Sequence, residues 1–228
     1  MKKVFIALCV LFTGINLTAQ NCDIFFPMKI GAKMEYEVTD KKNRNISSFE
    51  YLIKDVKQSG SEAQATIRAT VKEPKGETYQ QEFTAICKNG KMEIDYESLF
   101  PSSLNETLQG MDFDYTVSGK DIEWPANLSV GQTLPDSEMI MTLSMAGMNM
   151  ETSVTMTNRK VISKEALTTP AGSFDCYLIT YDTIVETMGS SMKTSSKLWI
   201  SQGIGMIKEE YYEKDKLENT TILTAYSK

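Results

Sequence analysis

Apolar and polar residues alternate with a period of two along most of this chain, and this alternation limits the folds open to it. From Glu62 to Lys72 every second residue is apolar, and the segment from Lys33 to Asp40 repeats the pattern. Successive side chains of an extended strand point to opposite faces, so a period of two indicates a half-buried β-strand. The apolar side of the segment from Glu62 to Lys72 consists of Ala63, Ala65, Ile67, Ala69 and Val71. The sequence therefore predicts an all-β fold.

Turn signals such as Asn89-Gly90 separate the alternating segments, which is typical of long strands joined by hairpins. A change of phase after Ile53 predicts a β-bulge near Lys54. A capping-box match predicts one short helix over residues 102–110. In the second half we expect strands near residues 139–146, 149–163, 173–187, 192–200, 205–213 and 217–226, with a loop from Trp124-Pro125 to the first of them. We expect long antiparallel strands in a curved sheet, an open barrel or a two-layer meander, with that one short helix.

The N-terminus has the pattern of a secretory signal peptide. Lys2 and Lys3 precede an apolar run, and small or polar residues follow as far as Ala19 and Gln20. The run is too short to span a bilayer, and no later apolar stretch is long enough, so we expect no transmembrane segment. Cleavage after either of the last two residues fits the pattern. We therefore expect an exported protein of the periplasm or the cell surface.

The chain has 228 residues, and removal of the signal leaves a length that suits one domain. We assign residues 1–19 to the signal peptide and residues 20–228 to a single all-β domain. Two lobes, residues 22–110 and 111–228, are the alternative. No short repeat of the kind found in propellers or solenoids is present.

Charge and composition exclude several classes of function. Without the signal, 22 basic and 30 acidic side chains remain, a formal charge of −8 that repels polyphosphate, so nucleic acid is not expected as a partner. The chain has no histidine, which removes Ser-His and Cys-His nucleophile pairs, imidazole bases and histidine metal ligands. We expect a protein that is not an enzyme and that carries no cofactor and no metal.

Three cysteines, Cys22, Cys87 and Cys176, remain after the signal. In an oxidising compartment they predict one disulfide and one leftover thiol, and three pairings are open. We favour Cys22 with Cys87, because this bond would tie down the N-terminus. Cys176 shares a strand face with Phe174, so we interpret it as a small core residue. Cys22 follows Asn21 rather than a small residue, and we therefore expect no lipid anchor.

Three motifs stand out along the exported chain. They are Cys22-Asp23-Ile24-Phe25-Phe26-Pro27 with Gly31, Pro170-Ala171-Gly172-Ser173-Phe174-Asp175-Cys176-Tyr177, and Leu198-Trp199-Ile200-Ser201-Gln202-Gly203-Ile204-Gly205-Met206-Ile207-Lys208. We interpret Gly172 and the pair Gly203 and Gly205 as turn residues between strands. Together the three motifs resemble the TapB-like family of exported bacterial proteins of unknown function. The resemblance spans most of the exported chain and implies an all-β fold and an envelope location, and no catalytic residues come with it.

Six methionines fall between residues 139 and 156. In an extended chain, those before Ala146-Gly147 share one face and those after it share another. Three interpretations are open: the core of a hairpin, an adaptable apolar surface for a lipid, a small molecule or a peptide, and a thioether site for Cu(I). The methionines are Met139, Met141, Met145, Met148, Met150 and Met156.

Polar motifs with catalytic potential are weak. Ser190-Ser191-Met192-Lys193 has the serine and lysine spacing of penicillin-recognising enzymes but lacks their partner motifs and lies between strands. Two pairs of acidic residues could supply the carboxylates of a glycosidase or of a calcium site. We interpret these acids, Asp112 with Asp114 and Asp121 with Glu123, as solvated faces of an acidic protein.

The leading hypothesis is a non-catalytic exported β-protein that binds an apolar or amphipathic ligand, or an envelope protein, in the concavity of its sheet. Small residues beside aromatic ones could leave room for a guest there, and flexible methionines could line it. Alternatively, the aromatic side chains fill that space. A structural or assembly role at the cell surface and a carboxylate-dependent hydrolase are the other hypotheses. The ligand-binding residues are predicted to be Met139, Met141, Met145, Met148, Met150, Ala65 and Tyr51.

Overall fold

A computed structural model describes residues 25–74, 76–95, 98, 113–145 and 148–228 of the chain. The expected signal peptide, Cys22 and the helix expected over residues 102–110 lie outside this part. Within it, no helix has the length and apolar character needed to cross a bilayer.

Thirteen strands make up almost all of the described chain, and all of them belong to one antiparallel sheet. Their order across the sheet is β6-β8-β9-β10-β11-β12-β13-β1-β2-β3-β4-β5-β7. The predicted all-β fold is confirmed. The strands are β1 (Lys33–Asp40), β2 (Asn45–Ser59), β3 (Glu62–Lys72), β4 (Thr78–Lys88), β5 (Lys91–Ile94), β6 (Phe113–Lys120), β7 (Ile122–Pro125), β8 (Ser137–Met145), β9 (Met148–Thr169), β10 (Gly172–Thr187), β11 (Ser190–Ser201), β12 (Gly205–Glu213) and β13 (Lys216–Ser227).

The sheet curves into a nearly closed barrel shape, because the segment after β7 returns to the far side of the sheet. The Leu134 N–H donates to the Arg159 carbonyl at 2.8 Å, and the Val161 N–H donates to the Gln132 carbonyl at 2.9 Å. These bonds connect β7, at one end of the strand order, to the C-terminal half of β9. The N-terminal half of β9 pairs instead with β8, which pairs with β6. A hairpin extension therefore projects beyond the closed part.

Apolar side chains fill the closed part in two adjoining clusters. The first includes Ile53 and Ile67, which face each other across β2 and β3. The second joins Phe25 and Trp124, whose ring centroids are 5.7 Å apart, to Val161 of β9. Burial of an apolar side chain of this size contributes roughly 1.5–3 kcal/mol to the free energy of folding. These two clusters form the core of the barrel-shaped sheet.

Arg159 is fully buried between these elements. Its Nη1 donates to the carbonyl oxygens of Glu123 and Pro135, and its guanidinium lies 4.6 Å from the centroid of the Trp124 ring. One side chain thus connects β7, the returning segment and β9. A hydrogen bond from a charged donor contributes more to stability than one from a neutral donor. Arg159 therefore helps to hold the sheet closed.

Local predictions are confirmed along most of the chain. The ladder shifts between Ile53 and Asp55, which is the bulge expected near Lys54. The six strands expected in the second half all form. The loop expected from Trp124 is wrong at its start, because Trp124 pairs with Met92 of β5 and Pro125 ends β7. The β5–β7 ladder joins two strands of four residues each that are distant in the sequence. The alternation within one strand does not show which other strand it pairs with.

The three motifs that suggested a family meet in space. Cys176 of β10 faces Ser201 of β11, and Ser201 faces Gly205 of β12. Gly205 has a φ of 107°, and a Cβ atom there would lie 2.5 Å from the Phe25 carbonyl oxygen. Gly205 lets the N-terminal segment lie directly against β12.

Candidate functional site

An aromatic cluster, which we call the aromatic wall, lies on the inner face of the sheet. Tyr36 of β1 faces Phe49 of β2, and Tyr51 of β2 faces the small Ala69 of β3. The rings of Tyr36 and Phe49 stack with centroids 4.7 Å apart, and the ring of Tyr51 meets Phe83 edge-on at 5.6 Å. Both arrangements are favourable for aromatic pairs. The wall consists of Phe26, Tyr36, Phe49, Tyr51 and Phe83.

The aromatic wall is buried on one side and accessible on the other. Tyr36 and Phe83 are only 2% and 5% exposed, and the Tyr36 hydroxyl donates to the Met206 carbonyl at 3.0 Å. Phe49 and Tyr51 are half-buried, although both pack against the core. The aromatic side chains therefore fill part of the inner space, and Phe49 and Tyr51 keep part of their surface accessible.

A carboxylate lies on the same inner face. Glu209 of β12 faces Leu198 of β11, a buried core residue, so the Glu209 side chain points inward. The Tyr181 hydroxyl donates a hydrogen bond to Glu209 Oε1, and the Ser196 side chain bonds to the same carboxylate. Tyr181 and Ser196 also face each other across β10 and β11. We call Glu209, Tyr181 and Ser196 the Glu209 cluster.

Burial changes the protonation behaviour of this cluster. Desolvation raises the pKa of the Glu209 carboxyl, although the hydrogen bonds from Tyr181 and Ser196 oppose the change. Burial, and then the charge of Glu209, raise the pKa of Tyr181 well above its ordinary value. Burial raises the pKa of Tyr51 to about 12, with a further contribution from the charge of Glu209. The carboxylate is therefore within electrostatic reach of the aromatic wall.

The methionine-rich hairpin carries one apolar face rather than two. Met139 faces Val154, and Leu143 faces Met150 across β8 and β9, and residues that face each other in a ladder lie on the same side of the sheet. Met148 is 64% exposed. Neither core cluster of the described residues includes these methionines, so they are not the core of a hairpin. The methionine face consists of Val117, Met139, Met141, Leu143, Met148, Met150, Val154, Val185 and Met192.

The methionine face is continuous with the inner face at the Glu209 cluster. Along β10, Tyr181, Thr183 and Val185 lie on one side of the strand, and the β10–β11 ladder runs past them without a register shift. Val185 faces Met192 of β11 at the start of the methionine face. Val185 lies four positions beyond Tyr181, a distance of roughly 13 Å in a strand. A single surface thus joins the half-buried Glu209 carboxylate to an exposed apolar sheet.

The predicted ligand residues occupy different parts of this surface. Tyr51 lies in the aromatic wall, and the predicted methionines lie on the hairpin extension, although the side chain of Met145 is outside the described part. Ala65 is fully buried opposite Ala85. It makes space within the core and does not reach accessible surface.

The Glu209 cluster escaped the sequence analysis. A usable signal was present, because Glu209 alternates with Ile207 and Tyr211 and so shares their side of the strand. An acid in such a position is ordinarily assigned to a solvated face. Tyr181 and Ser196 carry no local signal, since only the ladder between β10 and β11 brings them together.

The cysteines occupy buried positions. Cys87 of β4 is fully buried and faces Met92 of β5. Its predicted partner, Cys22, lies outside the described residues, so the pairing stays a prediction. Cys176 is a free, buried thiol, and burial raises its pKa to about 11. A thiol of this kind is a poor nucleophile at neutral pH.

The catalytic motifs do not assemble in the described part of the chain. Ser190 begins a strand, not a helix, and Lys193 forms an ion pair with Asp182 at 2.9 Å. Glu123 forms an ion pair with Lys91 at 2.8 Å. Among residues 25–74, 76–95, 98, 113–145 and 148–228, no three His, Cys, Asp or Glu side chains are grouped to hold a metal ion. Asp114 is exposed on β6, and its predicted companion Asp112 lies outside these ranges.

Comparisons with known proteins support the fold. An inferred exported protein of Bacteroides fragilis with a YmcC-like fold is 20% identical, with a TM-score of 0.70 over 91% of this chain and 100% of that one. An inferred lipoprotein of Parabacteroides distasonis is 22% identical, with a TM-score of 0.72 over the same shares. No curated protein matches the sequence significantly.

The name TapB-like is not confirmed by these comparisons, whereas the broader expectation of a bacterial β-protein family of unknown function fits them. The DUF3108-like family model matches residues 29–223. This match covers most of the chain, and the protein therefore belongs to the DUF3108-like family.

Proposed function

We propose that this protein is an exported, non-catalytic component of the bacterial cell envelope that binds an apolar or amphipathic ligand at the open end of its sheet. The observation that carries the proposal is the accessible ring surface of Phe49 and Tyr51 on the inner face, continuous through Tyr181 with the methionine face. Soluble proteins rarely leave a contiguous apolar surface of this kind without a partner for it. Flexible methionine side chains can adapt to ligands of varied shape.

Two further observations support a location in the envelope. The N-terminal residues have the pattern of an export signal, and the two solved structures with this fold are described as an exported protein and a lipoprotein. We extend export to this chain and place it in the periplasm or at the cell surface. Lipids and amphiphiles are abundant in both places.

Hydrophobic transfer sets a minimum size for the ligand. Burial of a methylene group contributes about 0.8 kcal/mol, whereas association costs about 4–15 kcal/mol before any affinity appears. A chain of about twelve methylenes gains up to about 10 kcal/mol, so it can offset that cost only if most of its length is covered. We therefore expect affinity to rise with the apolar area of the ligand, so that single long acyl or alkyl chains bind more tightly than small apolar molecules.

Native mass spectrometry of protein purified from its host tests the proposal directly. We expect a co-purifying mass of a lipid or another amphiphile. Repeated spectra of the bare protein, together with no fluorescence gain from the apolar probe N-phenyl-1-naphthylamine, would contradict it.

Two matched variants locate the binding surface. Met192→Asp places a charge on the methionine face at a side chain that is 47% exposed, whereas Ile46→Asp does so at a 40% exposed side chain of β2. We expect the first variant to weaken probe binding at least tenfold and the second to leave it unchanged. Equal effects of the two substitutions would remove the methionine face from the site.

An assembly role is the second candidate, and the edge strand β6 favours it. β6 is the last strand in the order of the described sheet and lies beside the methionine face. Edge strands can add a strand from a partner protein. Size-exclusion chromatography and cross-linking in envelope fractions test this role, which predicts a complex. A strict monomer in every fraction would count against it.

A further inference from the structure

The Glu209 carboxylate lacks a cationic partner among the described residues. Its hydrogen bonds come from the neutral hydroxyls of Tyr181 and Ser196, and none of the ion pairs of residues 25–74, 76–95, 98, 113–145 and 148–228 includes it. Leaving a carboxylate in a desolvated place without a cation is unfavourable for folding.

The cation that acts on Tyr181 is engaged in other contacts. Arg159 influences Tyr181 electrostatically, but its Nη1 donates to two backbone carbonyl groups and its guanidinium lies over Trp124. Towards the open end, Glu213 adds a second acid, which lies 3.6 Å from Lys214. Glu213 is thus paired with a lysine, whereas the Glu209 carboxylate beside Tyr181 forms no ion pair among the described residues.

The aromatic wall also favours a cation. Ring faces carry partial negative charge and attract cations, most strongly where water is partly excluded. Phe49 and Tyr51 present accessible ring surface, and Tyr51 is close enough to Glu209 for the carboxylate to perturb its hydroxyl. A carboxylate and aromatic rings at one site favour the same kind of ligand group.

We propose, building on the proposed function, that the ligand is an amphiphile with a cationic ammonium head group, which Glu209 and the aromatic wall bind while its chain lies along the methionine face. The path from Tyr181 to Val185 is roughly 13 Å long, which a single alkyl chain can follow without a bend. An anionic head group would add a second negative charge beside Glu209 and is disfavoured.

Three probes with the same twelve-carbon chain separate the head group from the tail. Dodecyltrimethylammonium is cationic, dodecanol is neutral and dodecanoate is anionic, and each is titrated below its micelle concentration against the N-phenyl-1-naphthylamine complex at neutral pH. We expect the cation to bind about tenfold more tightly than dodecanol, with dodecanoate weakest. Glu209→Gln should abolish the preference for the cation and leave the affinity for dodecanol unchanged.

Glu210→Gln is the matched control. It removes the same charge from the neighbouring position of β12, where the Glu210 side chain points outward and bonds to Lys208 and Tyr212. It should keep the cation preference, which excludes a general effect of the protein's net charge. Circular dichroism confirms that each variant is folded.

The outcomes separate the two proposals. If none of the three probes binds, the proposed function fails and the head-group proposal fails with it. If all three bind equally, or if dodecanol binds best, ligand binding stands and the cationic head group is refuted. If Glu210→Gln lowers the preference as much as Glu209→Gln, the site of recognition is wrong.

Discussion

The contact between Gly205 and the N-terminal segment makes a strong prediction for stability. A Cβ atom at position 205 would lie 2.5 Å from the Phe25 carbonyl oxygen, a separation at which the backbone must move. Phe25 cannot move freely, because its side chain is 2% exposed and packs against Trp124. Gly205→Ala should therefore disturb the core cluster that contains Phe25 and Trp124.

The size of the effect follows from two contributions. The φ of 107° at Gly205 is unfavourable for alanine, and such backbone strain costs about 1–3 kcal/mol. Overpacking against the Phe25 backbone adds about 1–3 kcal/mol. The total loss of unfolding free energy is about 4 kcal/mol, which is a large fraction of the stability of an ordinary domain.

Gly172→Ala is the matched control for backbone strain. Gly172 has a φ of 133°, but its added Cβ would meet only the Phe174 ring at 3.7 Å, an ordinary contact. Urea unfolding, followed by the fluorescence of the two tryptophans, should show Gly205→Ala about 2 kcal/mol less stable than Gly172→Ala, a shift on the order of 1 M in the midpoint. Equal losses in the two variants would refute the close approach as the cause.

Other predictions concern the buried polar groups. Arg159→Ala should lower the unfolding free energy by about 3–5 kcal/mol in urea titrations, since it removes a buried donor that joins three segments; a loss below about 1 kcal/mol would contradict this role. Cys176 should resist alkylation at pH 8 in the native protein and react after unfolding, because burial raises its pKa to about 11; rapid native labelling would contradict its burial. Non-reducing peptide mapping should recover a Cys22–Cys87 linked pair, and a linked pair that contains Cys176 would refute the predicted pairing.

Alternation predicted the strands because the two faces of a strand differ in polarity, and this information is local. The bulge between Ile53 and Asp55 was visible for the same reason, as a change of phase within one segment. The closure of the sheet was not visible. It depends on the pairing of Met92 with Trp124 and on the backbone hydrogen bonds of Leu134 and Val161. These contacts join segments whose sequences do not indicate that they pair.

The candidate site was predictable only in its apolar part. Methionines at alternate positions indicate an apolar face, but that the two rows form one face is a property of the β8–β9 register. Tyr51 was predicted because small and aromatic residues lie side by side in the alternating segments, and its role in binding stays a prediction. Glu209 was not singled out, since the chemistry of a single strand does not reveal what lies across the barrel-shaped sheet from it.

A single variant, Glu209→Gln, shows how Glu209 affects both the stability of the fold and the binding of a cation. Burial raises its pKa in the folded state, so its contribution to stability is complete below the unfolded pKa and is lost as the pH rises through the folded pKa. Glu209→Gln should therefore unfold at a higher urea concentration than the native protein at pH 8, with no difference near pH 4. A residue whose removal stabilises the fold and abolishes cation preference is kept for its ligand. If the variant were less stable at pH 8, Glu209 would be a structural acceptor for Tyr181 and Ser196, and the reason to expect a cation beside it would disappear.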